Sequence, residues 1–197
     1  MILSDTEIRR ALSTHRIVIE PRPEPDQFTS SAMDLRLGKN FFQWIPGQDL
    51  QAGQPAGVYR PIIIDPANIT DPHKLFSSYL RRVTPTEANG SYHLKPREFI
   101  LAETLETVTL PRESKLAARV EGRSTLARCG LIVHMTAPII HAGFSGIIVL
   151  EVCNFGEHPI KLTPGLRCCQ LIFEMVAGKP SREPATSYQG QRGISRK

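Results

Sequence analysis

From Tyr92 to Met175 short apolar runs alternate with turn residues, a rhythm that predicts strands. The runs are 99–102, 106–110, 117–121, 131–136, 147–153 and 168–175, punctuated by Pro96, Pro111, Pro138, Pro159 and Pro164-Gly165. Many short strands, few helices and no strand–helix–strand rhythm predict a mainly β fold, an antiparallel sandwich or jelly-roll-like barrel. Upstream, Ser4-Asp5-Thr6-Glu7 has capping-box form, and Ile8, Ala11 and Leu12 share a face, so 5–14 is expected to be a short amphipathic helix. Pro21, Pro23 and Pro25 make a stiff extended connector. Residues 32–37 alternate as a strand, with Gly38 turning into Phe41-Phe42. Segment 45–60, rich in Gly and Pro, is expected to be a loop or hairpin tip. Ile62-Ile63-Ile64 is a short apolar strand, and 71–82 is a small surface helix carrying Leu75, Phe76, Tyr79 and Leu80. With no internal repeat, the expectation is one β-rich domain over 1–197 ending in a flexible arm at about 179–197.

Composition narrows the class. A chain of 197 residues with 41% hydrophobic content suits one well-packed globular domain, or at most two small ones. No apolar run approaches membrane-spanning length. Asp5 and Glu7 occupy the N-terminus without an apolar signal core, so a cytoplasmic protein is expected, with Cys129, Cys153, Cys168 and Cys169 as reduced thiols. The net charge of +5 is scattered rather than striped, which speaks against a nucleic-acid partner. Lys179, Arg182, Arg192, Arg196 and Lys197 make the tail basic. Such a tail suits a flap over a triphosphate and suits a plain disordered tail equally well.

The chemistry gathers between Arg119 and Glu151. Gly122-Arg123-Ser124-Thr125-Leu126-Ala127-Arg128 has the parts of a phosphate cradle: a glycine for close approach, hydroxyls opening a helical turn over 126–129, and two arginines. The same residues also describe a capped surface turn with solvated arginines. Glu151 sits inside the apolar run 147–153, between Val149 and Cys153 on its own face. Burial there would raise a carboxylate's affinity for protons and fit it for acid–base work. An edge glutamate facing water, or one paired with an arginine, is the alternative. None of the six histidines is followed two residues later by Glu, and no C-x-x-C occurs, so a zinc deaminase centre lacks its ligands.

These segments together resemble the dCTP deaminase family of the trimeric dUTPase-like superfamily. The matching blocks are Gly-Arg-Ser-Thr-Leu-Ala-Arg at 122–128, Val-His-Met-Thr-Ala at 133–137, Gly-Phe-Ser-Gly at 143–146 and Val-Leu-Glu at 149–151. Met33-Asp34-Leu35-Arg36-Leu37-Gly38, the strands over 94–111 and Tyr188-Gln189-Gly190-Gln191-Arg192-Gly193 match as well. The resemblance implies a distorted jelly-roll barrel of the dUTPase-like type, with a short N-terminal helix and small surface helices. It also implies a homotrimer with shared sites, and zinc-free deamination of dCTP to dUTP and ammonia. Glu151 would be the proton shuttle, with Ser124 and the Ala137 carbonyl orienting water and Arg128 steadying the site. Substrate contacts would fall to Arg123, Thr125, Leu126, Ala127, His141, Val149, Leu150, Tyr188 and Gln191. Mg²⁺ would arrive on the triphosphate, and dTTP would be a feedback inhibitor acting near His134. Departures from the pattern also stand out: His141 replaces the usual Asp, Pro138-Ile139 the usual His-Arg, and Ser187 the usual Lys. The first weakens a dUTPase or bifunctional reading, which relies on that carboxylate, and leaves as a further alternative a nucleotide-binding homologue with little catalysis, its cradle kept and its sugar pocket altered.

Overall fold

The computed structural model describes residues 1–45, 63–178 and 190–194. Helix α1, Asp5–Ser13, opens the chain, and the Ser4 hydroxyl caps it by accepting from the Glu7 N–H. Its apolar face buries Ile8 and Ala11. The strands are β1 (Val18–Glu20), β2 (Met33–Trp44), β3 (Leu80–Arg82), β4 (Tyr92–Leu94), β5 (Phe99–Thr109) and β6 (Leu116–Gly122). They continue as β7 (Leu131–Ile132), β8 (Ile139–Ile140), β9 (Ser145–Asn154), β10 (Ile160–Leu162) and β11 (Arg167–Met175). Two short helices interrupt them, α2 (Pro72–Tyr79) and α3 (Ser124–Arg128).

One curled antiparallel sheet runs in the order β7-β9-β5-β2-β11-β6-β8, with β1 added to β5 and β3 to β2. Strands β10 and β4 form a separate pair. The inward faces of the large sheet bury Met33, Leu35, Ile100, Leu150, Leu171 and Phe173 completely or nearly so. Such close-packed aliphatic burial is the main source of stability, roughly 1.5–3 kcal/mol for each large side chain. The mainly β fold expected from the alternation is the fold observed.

Several boundaries differ from the sequence expectation. The strand at 32–37 does not turn at Gly38 but runs on to Trp44, with a register shift between Leu37 and Phe41. Runs 99–102 and 106–110 are one strand, β5, whose pairing with β9 shifts between Glu103 and Thr107. An irregularity of this kind bends a strand without ending it, so a glycine or a polar pair there looks like a break. Run 131–136 keeps only β7, because the chain leaves the ladder before the left-handed Ala137. The helix expected over 71–82 stops at Tyr79 and passes straight into β3. Ile63 and Ile64 are exposed and belong to no strand. Ile62, most of the 45–60 loop and residues 179–189 and 195–197 lie outside the described residues, as do Ser187 and Tyr188.

Candidate active site

Strand β9 buries its even-numbered residues and leaves Ile147, Val149 and Glu151 half-covered on the opposite face. That face forms one wall of a cavity of about 580 Å³. Val149, Glu151, His134, Ala137, His141 and Gln191 all line it, so six of the residues singled out in the sequence converge on one space. Phe99, Leu101, Ile139, Ile140, Phe144 and Ile194 supply apolar surface. Glu151 is not sealed in the core: its side chain keeps 35% of its exposure, at the cavity wall. The apolar flanks misled because the face that Glu151 shares with Val149 lines the cavity rather than the core.

Glu151 Oε2 lies 2.8 Å from His134 Nδ1, in contact but outside hydrogen-bond geometry. Both His134 ring nitrogens are shielded from solvent without a hydrogen-bond partner. The Met135 N–H donates a long 3.4 Å bond to the same Oε2. Two residues on, Ala137 has φ +60°, the left-handed region that costs an L-residue roughly 1–2 kcal/mol. The following segment is fixed in place: the Val120 N–H donates to the Pro138 carbonyl at 2.9 Å, and β8 pairs with β6. A backbone held against its preference beside a carboxylate is a place where a carbonyl can be aimed.

The outer edge of β9 adds a second kind of group. Gln191 takes the Ile147 N–H at 2.9 Å, and Ile132 pairs with Cys153. Between those points no strand of the described residues pairs with that edge. By strand alternation the N–H and C=O of Val149 and Glu151 point to it, while those of Leu150 point toward β5, where Leu150 pairs with Ala102. Leu150 has its side chain in the core, fully buried.

The cradle folds as helix α3, starting two residues earlier than the expected turn, with Arg123 as its cap residue. Ser124, Thr125, Ala127 and Arg128 are exposed, and Leu126 is half-buried against the core. None of these five, nor Arg123, lines the cavity that holds Glu151. Arg123 is already engaged, donating from Nη1 to the Arg167 carbonyl at 3.1 Å and lying 3.4 Å through Nη2 from Asp34 Oδ2. Asp34 is buried and also accepts from Gln170 Nε2 at 2.9 Å. Within one chain, therefore, the carboxylate and the cradle occupy separate places.

Asp34, Glu103, Ile194 and the edge-on aromatic pair Trp44–Phe76 were not singled out in the sequence. Trp44, Phe76 and Ile194 line the cavity. Glu103 falls in the polar break between the two apolar runs 99–102 and 106–110, and nothing in the sequence marks it.

By sequence comparison the chain belongs to a family of nucleotide-processing enzymes. It matches the dCTP deaminase-like family over residues 2–176 and is a member of it. It is similar to the dCTP deaminase, dUMP-forming, of Methanosphaera stadtmanae, at 38% identity over 198 residues covering 98% of this chain and 90% of that protein. It is likewise similar to the dCTP deaminase of Rhodospirillum rubrum, at 36% identity over 197 residues covering 97% and 93%. The crystal structure of 2′-deoxycytidine 5′-triphosphate deaminase from Agrobacterium tumefaciens shares the fold, with a TM-score of 0.61 at 22% identity. That alignment covers 88% of this chain and 48% of the other, so this chain spans about half the length of that one.

Proposed function

We propose that this chain hydrolytically deaminates dCTP to dUTP and ammonia. The observation that carries the proposal is the convergence of Glu151, His134 and left-handed Ala137 on one cavity in a dCTP deaminase-like chain. Glu151 takes a proton from water as the oxygen adds to C4 of cytosine and passes it to N3, then carries the proton of the new C4 hydroxyl to the amino nitrogen. The C4–N bond breaks, ammonia leaves and the C4 carbonyl forms. Ser124 and the Ala137 carbonyl orient the water, and Arg128 stabilises charge developing on the ring. The open main-chain edge at Val149 reads the base, with Leu150 holding that strand in register, and His141 meets the sugar hydroxyl. Arg123, Thr125, Leu126 and Ala127 cradle the phosphates, and Mg²⁺ arrives bound to them as part of the substrate. Gln191 and Tyr188 cover the site.

This chemistry needs Ser124 and Arg128 beside a Glu151 that they do not reach within one chain's cavity. A homotrimer in which a neighbouring copy delivers the cradle meets that need, and dTTP, with the same triphosphate, is the expected inhibitor. Among the described residues no helix is long and apolar enough to cross a membrane. Action on a cytoplasmic nucleotide pool belongs to the same proposal.

A second reading has a specific support: the Methanosphaera stadtmanae relative is named dUMP-forming. Against it stands His141, at the position where phosphate hydrolysis in the superfamily relies on a carboxylate. The deciding experiment supplies the purified protein with dCTP and Mg²⁺ and follows dUTP, dUMP, pyrophosphate and ammonia separately. Ammonia with accumulating dUTP is expected. Ammonia with dUMP and pyrophosphate establishes the second reading, and dCTP binding without turnover overturns both.

A further inference from the structure

Glu103 is a buried carboxylate outside the chemistry proposed above, 5% exposed in the middle of β5. Its Oε2 accepts from Asn40 Nδ2 at 2.7 Å. Its Oε1 accepts from the backbone N–H of Ile194 at 2.8 Å, 91 residues away in sequence. Both ladders of β5 are irregular around this residue, against β2 between Leu37 and Phe41 and against β9 between Glu103 and Thr107. A methyl group at Gly38 would stand 2.8 Å from the Glu103 carbonyl oxygen, so β2 can pass this point only with glycine there. The sheet is deformed on both sides to present one acid to the C-terminal segment.

That segment is seated at several points. The Gly190 N–H donates to the Ser145 carbonyl at 2.8 Å, and the Gln191 carbonyl accepts from Ile147. Gln191 is 5% and Ile194 1% exposed, and both residues line the cavity that holds Glu151. Added methyl groups at Gly146 and Gly193 would stand 2.9 Å from the Gln191 carbonyl oxygen and from Glu103 Oε1 respectively. The fit leaves no slack on either side.

We infer that Glu103 is a positioning residue: it latches residues 190–194 onto the barrel so that Gln191 is held in the nucleotide cavity. The consequence for substrate binding rests on the function proposed above; the latch itself does not. Without the latch the seated state is one of several, and apparent affinity falls in proportion to its population. Loss of uniform binding of this kind raises KM and leaves kcat nearly unchanged.

The test uses the full chain and two variants. Glu103→Leu keeps comparable bulk but removes both acceptor oxygens, so the Ile194 N–H loses its partner. Gly193→Ala presses on the same contact from the tail side and leaves the barrel untouched, which guards against a Glu103 variant that fails to fold. Hydrogen exchange by mass spectrometry reads the peptide containing 190–194, with a peptide from β11 as the internal control. Both variants are expected to exchange at least about tenfold faster in the tail peptide and unchanged in the control, as local opening requires. KM for dCTP should rise roughly tenfold with kcat within about threefold. Unchanged tail exchange in both variants overturns the latch. Faster exchange with unchanged KM overturns the positioning role and leaves a structural anchor. If the unmutated protein does not turn over dCTP, the failure lies with the proposed function, and exchange still decides the latch.

Discussion

Asp34 on β2 holds Arg123 at the head of α3, with Oδ2 and Nη2 3.4 Å apart and the carboxylate almost wholly out of water. The first arginine of the cradle is thus oriented before any ligand arrives. An arginine fixed in this way spends less side-chain entropy when it meets a phosphate. Asp34→Asn should raise KM for dCTP about tenfold with a smaller effect on kcat, and cost about 1–3 kcal/mol of stability from the lost charge-assisted contacts. Steady-state kinetics with a denaturation curve checks both. An unchanged KM would show that Arg123 does not meet the phosphates.

Glu151→Gln keeps the size of the side chain and removes its ability to take a proton. Deamination should fall by roughly 10²–10⁴-fold, the usual contribution of a positioned acid–base group. Binding of dCTP, measured calorimetrically, should change little. Normal turnover by this variant would move the proton shuttle elsewhere, with His134, 2.8 Å away, the first place to look.

Ala137 offers a test in which stability and rate move in opposite directions. Glycine adopts its left-handed φ without the side-chain penalty, so Ala137→Gly should be as stable as the parent or more so, by up to about 1 kcal/mol. A carbonyl no longer held by that restraint should orient water less well, lowering kcat several-fold. Thermal melts alongside single-turnover rates would separate the two effects. A variant that is both less stable and fully active would mean that the left-handed turn serves packing alone.

Thiol reactivity should be strongly uneven. Cys129, at the end of α3, is exposed, whereas Cys153, Cys168 and Cys169 are buried. Burial pushes the Cys153 thiol above its ordinary range, and Cys169 is raised by its contact with Cys168 and then by burial. Since the thiolate is the reacting species, an aromatic disulfide reagent should modify one thiol per chain quickly and the others only on unfolding. Cys129→Ser should remove the fast phase.

Among the described residues, Glu87 is one contributor to the acid limb of stability. Lys161 and then His93 hold Glu87 below its ordinary value of 4.5, each through a direct hydrogen bond. A carboxylate with a lowered folded-state pKa stabilises the fold above about pH 4.5 and loses that contribution as pH falls through the folded value. Lys161→Ala should therefore lower Tm slightly at pH 6 and leave it unchanged at the lowest pH where the protein stays folded. Melting curves across pH 3–6 would show the two lines converging.

How much of this was legible in the sequence depended on regularity. Strands β6, β9 and β11 follow simple alternation and were found within a residue or two of their observed ends. Strands β2 and β5 were read short or in two pieces because Gly38 and Glu103-Thr104 mark register shifts, and an irregular stretch carries the same residue types as a turn. In the site, Glu151, His134 and Ala137 were found through their motif and His141 as a departure from it, and these four do share a cavity. Asp34, although inside a recognised block, had no visible role until its distance to Arg123 was known. Glu103 was silent for a different reason: its partner, the N–H of Ile194, belongs to the backbone and leaves no mark on the sequence.

The open edge of β9 has a second meaning. An unpaired row of N–H and C=O groups is a template for any extended chain, including another copy of this one. The stretch around Val149 that would read a base is therefore also where unliganded protein is most prone to self-association through strand pairing. Nucleotide occupying that edge would act as a guardian of solubility, with the hydrogen bonds that confer recognition also denying the edge to aggregation.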